Sequence, residues 1–191
     1  MTEAARAPGA FLVGERCYLR APTRDDVLGN WPHWFSDAEV TRNMLRGVFP
    51  QSVEAQLAFY ENVSSEQTSD LVLAIVAADT DQHIGTTGLH RIDWVNRSAE
   101  FGIVVGERVY WGKGIGSEAT RLIVAHGFDR LNLERIWLGV FADHGPAVRL
   151  YERVGFQVEG RLRGAILRDG RRHDQLIMGI LAEEFRDASR R

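Results

Sequence analysis

The sequence predicts a single α/β domain of the α+β kind, in which a mixed, mostly antiparallel central sheet of about seven strands is flanked by helices. Three observations support this prediction. Short β-branched and aromatic runs recur along the chain, several of them follow one another through short turns, and two of them lead directly into amphipathic helical segments. We expect one domain over residues 11–185, between a flexible tail at 1–10 and a charged tail at 186–191.

The composition excludes several classes of protein. The chain has 191 residues, is 45% hydrophobic and carries a net charge of −3, which fits one ordinary domain and gives no electrostatic footprint for nucleic acid. No long apolar run or leader-like segment is present, so we expect a cytoplasmic protein that does not use a membrane. The histidines lack metal-ligand spacing, and the single cysteine, Cys17, is interpreted as a small buried hydrophobe, so no metal is expected.

The first third of the chain predicts one strand and then three helices. Thr23 and Asp26 form a capping-box pattern, and Ser36 and Glu39 repeat that pattern, so two helices should follow each other almost without a loop. The predicted elements are a strand at 13–21 and helices at about 24–35, 37–45 and 52–65.

The rest of the chain alternates strands with two helical segments. The continuous apolar run at 71–78 indicates a strand that is covered on both faces. Asp169-Gly170 is a strong two-residue hairpin signal. The predicted strands lie at 71–78, 83–94, 101–105, 135–141, 156–167 and 173–181, with a helix at 116–131 and a shorter one before Gly155.

The glycine-rich stretch at 112–116 is the first functional signal. Gly112, Gly114 and Gly116 follow the strand at 101–105 and precede a helix, so unshielded backbone amides and the positive end of the helix dipole favour a bound phosphate. The order of residues does not match a P-loop. A dinucleotide-binding fingerprint is also expected on the first strand of its domain, whereas about a hundred residues precede this loop.

A second block at 134–156, ERIWLGVFADHGPAVRLYERVGF, reads as a strand, a polar turn and a short helix. Together, YWGKGIGSEA and AVRLYERVGF resemble the acetyl-CoA-binding half of the GNAT superfamily of N-acetyltransferases. The resemblance covers residues 12–185 and is strongest to the branch that contains ribosomal-protein alanine acetyltransferases and spermidine acetyltransferases. Two positions depart from the family pattern: Trp111 replaces a usual Gln or Arg, and His144 replaces a frequent Asn.

The resemblance implies that acetyl-CoA is the acetyl donor, bound where the central pair of strands splays apart. The pyrophosphate would lie over residues 112–117, and the pantetheine arm would pair with the backbone of the strand before it. The donor-binding residues predicted in this way are Ile103, Val104, Val105, Gly112, Lys113, Gly114, Ile115, Gly116, Ser117 and His144.

Acyl transfer to an amine also needs a proton acceptor and a proton donor. Glu100, at the start of the central strand, is the predicted base, and Tyr151 is the predicted acid because the family's tyrosine faces the thioester sulfur. Trp31 and Trp34 would belong to the wall of the acceptor groove.

The sequence does not identify the amine that accepts the acetyl group. An α-amino group of a protein or peptide is the first expectation, and a small-molecule amine such as a polyamine, an antibiotic or a metabolite is the alternative. A non-catalytic acyl-CoA-binding module also remains open, and a homodimer is possible because dimers are common in the family.

Overall fold

The computed structural model describes residues 9–44, 48–49, 51–65 and 69–189. The strands within these residues are β1 (Ala10–Val13), β2 (Cys17–Arg20), β3 (Leu71–Ala77), β4 (His83–Asp93), β5 (Ser98–Val105), β6 (Arg135–Phe141), β7 (Gln157–Arg168) and β8 (Arg171–Leu181). The helices are α1 (Arg24–Leu28), α2 (Trp31–Ser36), α3 (Ala38–Thr41), α4 (Val53–Ser65), α5 (Ile115–Asp129), α6 (Gly145–Val154) and α7 (Ala182–Ser189), with a 3₁₀ turn at Arg108–Tyr110.

The strands form one sheet in the order β1-β2-β3-β4-β5-β6-β8-β7. Every neighbouring pair is antiparallel except β5 and β6, which are parallel. The predicted fold class, a mixed and mostly antiparallel sheet flanked by helices, is therefore confirmed. This topology also excludes the all-parallel sheet that a dinucleotide-binding domain requires.

The sheet has eight strands rather than about seven because an additional strand, β1, precedes the predicted strand at 13–21. Only Val13 of β1 lies in that range, and β2 occupies the rest of it from Cys17 to Arg20. A tight turn separates β1 from β2, and the N–H of Gly14 donates to the carbonyl of Cys17 over 2.9 Å. The carboxylate of Glu118 on α5 accepts the backbone N–H groups of Glu15, Arg16 and Cys17, which fixes this turn against the helix. A contact so distant along the chain has no local sequence signal.

The predicted helix at 24–35 is also divided. The capping box of Thr23 and Asp26 forms as expected, but α1 ends at Gly29 and α2 begins again with Pro32 in its first turn. The next helix is shorter than predicted, and Asp37 rather than Ser36 caps it. Residue 45, the predicted end of that helix, lies outside the described residues.

Helices cover both faces of the sheet. On one face, called the α5 face, residues of α5 such as Ile123 and Phe128 pack with strand residues such as Leu89 and Ile136. On the other, called the α4 face, Val63 of α4 packs with Val72 of β3 and with α1 and α2. Burial on both faces explains why the strand at 71–77 is apolar throughout.

The two ends of the chain differ from the expected tails. Residues 182–189 form α7, whose Phe185 ring packs against Phe128 at 5.6 Å between ring centroids, where a charged tail was expected from residue 186. Residue 10 already belongs to β1. Residues 1–8 and 190–191 of the expected tails lie outside the described residues.

The hairpin at Asp169-Gly170 is confirmed, with φ values of 49° and 73° at these two residues.

Candidate active site

The two central strands separate partway along their length. β5 and β6 pair only between residues 98–100 and 135–137, and the last pair is Glu100 with Trp137. Beyond it, β5 stays paired with β4 as far as Val105, while β6 pairs with β8 as far as Phe141. The gap between residues 101–105 and 138–141, called the β5–β6 opening, leaves the edge of β5 without a strand partner among the described residues. An extended amide-containing chain could pair with this edge.

The glycine loop, residues 112–116, lies just before α5. Gly112 and Gly114 have φ values of 75° and 83°, which favour glycine, and Gly114 caps α5 without a side-chain hydrogen bond. The first amides of α5 are therefore available to an anion. Gly116 serves a different purpose, because a Cβ there would lie 3.0 Å from Cδ1 of Leu150 on α6. It allows the two helices to pack closely.

Two basic side chains flank this loop. Lys113 has its Nζ 5.2 Å from the centroid of the Tyr110 ring. Arg16, in the turn that Glu118 fixes, has its Nε 3.5 Å from the position that a Cβ on Gly114 would occupy. The sequence reasoning missed Arg16 because only the sheet topology brings it to the loop. Its positive charge suits the same anion as Lys113.

The remaining predicted donor residues offer mainly their backbone. Ile103 and Val105 pack against the core of the α5 face, Val104 packs against that of the α4 face, and Ile115 is buried. Ser117 is partly buried in the first turn of α5. The indole N–H of Trp111 donates to the carbonyl of Val105 over 2.7 Å. Trp111, noted in the sequence as a departure, thus occupies one hydrogen-bonding position on the edge of β5.

Tyr151 lies on α6, against the strand that lines the opening. Its ring meets that of Phe101 edge-on, with 6.0 Å between centroids, and also contacts Phe156. Burial raises the pKa of Tyr151 to about 12, because a phenolate would lose its hydration. The phenol therefore keeps its proton at neutral pH and is suited to donate it to a thiolate.

His144 stands at the N-cap of α6 and forms no side-chain cap. Burial lowers the pKa of His144, and the charge of Asp143 opposes this shift without cancelling it. Because its pKa is lowered, the imidazole is neutral at pH 7, where one ring nitrogen can donate a hydrogen bond and the other can accept one. The structure brings His144 to the start of the helix that carries Tyr151.

Glu100 is the last residue of β5 that pairs with β6, so it stands where the opening begins. Its side chain lies on the α4 face, opposite to that of Phe101. The carboxylate is ion-paired with Arg91, whose guanidinium lies 5.5 Å from the centroid of the Trp137 ring. The predicted base is thus near the opening but already has a cationic partner.

The two tryptophans assigned to the acceptor groove are core residues. Trp31 and Trp34 are only 1% and 4% exposed. The Trp34 ring covers Gly106, where a Cβ would come within 2.0 Å of it, and its indole N–H donates to Glu107 over 3.0 Å. At this burial the two rings present almost no surface to a ligand, and their assignment to the acceptor groove stays a prediction.

A pair of residues missed by the sequence reasoning lies on the α4 face. Nδ1 of His90 lies 2.9 Å from Oδ1 of Asp70, and His90 pairs with Glu100 in the register of β4 and β5. Only the register of the sheet reveals this arrangement.

In the described part of the chain, no group of three or more His, Cys, Asp or Glu side chains could hold a metal ion, and no helix is long and apolar enough to span a membrane.

An interrupted strand pair beside a helix N-terminus, with a protonated tyrosine at the gap, could hold a phosphate-bearing thioester and protonate its leaving sulfur. The chain belongs to the GNAT acetyltransferase family, because residues 16–157 match the family Acetyltransf_3, described as an acetyltransferase (GNAT) domain.

Several relatives match almost the whole chain, and two of them are described here. The uncharacterized N-acetyltransferase p20 of Bacillus licheniformis is 34% identical over 176 residues, which are 91% of this chain and 97% of the relative. The spermidine N(1)-acetyltransferase of Vibrio cholerae is 35% identical over 172 residues, which are 90% and 96% of the two chains.

The fold has a close counterpart among solved structures. The crystal structure of spermidine N-acetyltransferase from Vibrio cholerae in complex with CoA and spermine has a TM-score of 0.82 and 26% identity, and the match covers 90% of this chain and 99% of that one. The predicted family, fold and enzyme class are confirmed: the protein is a GNAT N-acetyltransferase.

Proposed function

We propose that the protein transfers the acetyl group of acetyl-CoA to the primary amine of a small molecule, by direct attack of the amine on the thioester. The observation that carries this proposal is the β5–β6 opening, which starts at Glu100, runs towards the glycine loop and has Tyr151 beside it. The three parts of the reaction, a held donor, an entry for the amine and a proton for the leaving sulfur, meet there.

The donor would lie along the edge of β5. Its pyrophosphate oxygens would accept hydrogen bonds from the first backbone N–H groups of α5, with the positive charges of Arg16 and Lys113 nearby. The amide groups of its pantetheine arm would form hydrogen bonds with the backbone at residues 103–105. Since Trp111 donates to the carbonyl of Val105, the arm would either displace the indole or use the neighbouring backbone groups. Tyr151 would protonate the departing thiolate.

A small-molecule amine is better supported as the acceptor than the α-amino group of a protein, which was the first expectation. A relative with 35% identity over nearly the full length acts on spermidine by its name. The carboxylate of Glu100 already holds a guanidinium on the α4 face, and we propose that it holds the ammonium group of the acceptor when Arg91 is displaced.

The test has a donor step and an acceptor step. Thermal unfolding with acetyl-CoA, CoA or NAD should show stabilisation by both CoA species, about 2.7 kcal/mol at a hundredfold excess over Kd, and none by NAD. Thiol release from acetyl-CoA is then measured with spermidine, a monoamine and a peptide with a free N-terminus. We expect release with a small amine and not with the peptide. Release with the peptide alone would restore the first expectation, and stabilisation by NAD alone would reject the donor site.

A further inference from the structure

Asp70 and His90 form a hydrogen-bonded pair on the α4 face, close to the β5–β6 opening. Asp70 directly precedes β3, and His90 lies near the end of β4, where its side chain is 25% exposed. The imidazole lies over two glycines: a Cβ on Gly88 would be 2.7 Å from Nε2, and one on Gly102 would be 3.5 Å from it. The absence of side chains at both glycines gives the ring its place.

The hydrogen bond fixes which nitrogen of the ring carries the proton. Burial disfavours the Asp70 carboxylate, but hydrogen bonds from Ser69 and His90 outweigh this effect and lower the pKa of Asp70. An ionised Asp70 accepts the Nδ1–H of His90 over 2.9 Å, so Nε2 carries the lone pair. A carboxylate in this position also stabilises the imidazolium that forms when Nε2 takes a proton.

The position of the ring matches the path of an incoming amine. Gly102, under the ring, is two residues beyond the last β5–β6 pair, which is roughly 7 Å along a strand. Phe101 projects to the other face and contacts Tyr151. His90 and Tyr151 therefore stand on opposite faces of the sheet at the same point of the opening.

The chemistry requires such a group. A primary amine with a pKa near 10.4 is neutral in only about one molecule in a few thousand at pH 7. An imidazole whose Nδ1–H is held by a carboxylate can take the proton from the bound ammonium at Nε2 and return it to water in each turnover.

We propose that His90 is the catalytic base that deprotonates the acceptor ammonium at Nε2, and that Asp70 is the residue that positions it. This inference rests on the proposed function. The proton moves from nitrogen to Nε2 and then to solvent, and the nitrogen lone pair forms a bond to the thioester carbon. As the C–S bond breaks, nitrogen loses its second proton to His90 and the Tyr151 phenol protonates sulfur. The imidazolium then reprotonates the phenolate through solvent, so one proton is released overall.

Glu100 has a different role in this scheme. The charged groups that the structure brings to His90 are Asp70, Glu100, which is its cross-strand partner, and Arg91, which is ion-paired with Glu100. α4 covers the same face and contributes the apolar Val63 to its core. With its carboxylate bound to a cation, Glu100 acts as the site that holds the ammonium while His90 removes the proton.

The decisive variant is His90→Asn, because an asparagine amide can keep the bond to Asp70 while it removes Nε2. The pH dependence of kcat is measured with an amine that the wild-type enzyme acetylates, alongside Asp70→Asn, Glu100→Gln and the control His126→Gln on α5. We expect His90→Asn to lower kcat about a hundredfold and to abolish the acidic limb of the profile, with acetyl-CoA affinity unchanged. His126→Gln should keep that limb.

Two further measurements separate a base from a structural histidine. In Asp70→Asn the acidic limb should move to lower pH at reduced kcat, because the imidazolium has lost its carboxylate partner. In His90→Ala, added imidazole should restore part of the rate, since the place over the two glycines becomes empty.

The outcomes are distinct. If His90→Asn retains the wild-type kcat and acidic limb, or if Glu100→Gln alone removes that limb, the assignment to His90 is overturned while the proposed function stands. If the wild-type enzyme releases no thiol with any amine, the proposed function fails, and the role of His90 fails with it.

Discussion

The donor side and the acceptor side of this enzyme are built in different ways. The proposed donor side lies mostly in one continuous segment, residues 101–119, which offers backbone amides, a helix N-terminus and a strand edge. Arg16 and His144 join it from other parts of the chain. The proposed acceptor side is assembled from Asp70, His90 and Glu100, which lie on separate strands or before one. Backbone recognition demands glycines at fixed positions and is visible in sequence, whereas side chains that meet across strands are not.

Among the variants that test this difference between the donor side and the acceptor side, Gly114→Val should have the largest effect. Gly114 has a φ of 83°, which valine adopts only with strain, and its Cβ would lie 3.5 Å from Nε of Arg16. We expect acetyl-CoA affinity to fall at least a hundredfold, measured by isothermal titration calorimetry. Gly160→Ala is the matched control, since no atom lies within 4 Å of its Cβ position. Unchanged affinity in Gly114→Val would remove the loop from the donor site.

Tyr151→Phe should separate chemistry from donor binding. The pKa of Tyr151 is raised to about 12 by burial, so the phenol acts as an acid, and its loss should lower kcat about a hundredfold with little change in acetyl-CoA affinity. Tyr18→Phe, which removes a phenol bonded to Asp81 at the other end of the sheet, should leave kcat unchanged. Equal losses of kcat and affinity in Tyr151→Phe would reduce Tyr151 to a packing residue.

Glu118→Gln tests how the donor side is supported. Burial disfavours the Glu118 carboxylate, but hydrogen bonds from the N–H groups of Glu15, Arg16 and Cys17 outweigh it and lower the pKa. At pH 7 we expect the variant to lose about 1–2 kcal/mol of unfolding free energy, a figure reduced for solvent screening.

The pH dependence of this loss of unfolding free energy in Glu118→Gln follows from the direction in which folding shifts the pKa of Glu118. Because the pKa of Glu118 is lower in the folded state, its contribution is complete above the unfolded value and disappears as the pH falls through the folded value. Urea unfolding at pH 7 and at pH 3 should therefore show a difference between wild type and variant that shrinks in acid. Glu61→Gln, on the exposed surface of α4, should leave the free energy of unfolding unchanged at either pH. If the loss in Glu118→Gln were the same at both pH values, the stabilising role of the ionised Glu118 carboxylate would be contradicted.

The smallest effect is expected away from the proposed site, from Arg168→Met. The Arg168 guanidinium donates to the carbonyls of Thr41 and Met44 and lies 6.0 Å from the centroid of the Phe141 ring, so it joins the β7–β8 hairpin to the end of α3. Methionine keeps the length but not the two hydrogen bonds. We expect the free energy of unfolding to fall by about 1 kcal/mol while acetyl-CoA affinity stays the same. Arg163→Met, exposed on the same hairpin, is the control, and an equal fall there would mean that only the loss of charge matters.

Local patterns predicted most of the elements correctly. The capping box at Thr23, the hairpin at Asp169-Gly170 and the alternation at 135–141 each depend on neighbours in sequence, and each formed as predicted. Among the wrong predictions, the unbroken helix at 24–35 failed for a local reason, since α1 ends at Gly29 and α2 begins again with Pro32 in its first turn. Two other wrong predictions depended on distant contacts. The turn between β1 and β2 is held by Glu118, and the helix at the C-terminus is held by the contact between Phe185 and Phe128.

In the candidate site too, features encoded by neighbouring residues were predictable from the sequence, and features formed by distant contacts were not. The sequence by itself determined the glycine loop, the start of α5, the tyrosine on α6 and hence the family, because glycine conformations and helix starts are encoded over a few residues. Only the tertiary structure decided that Trp31 and Trp34 are buried, that Arg91 pairs with Glu100 and that His90 lies on Gly102 with Asp70 behind it. Strand register places those side chains together, and register is a property of the whole sheet.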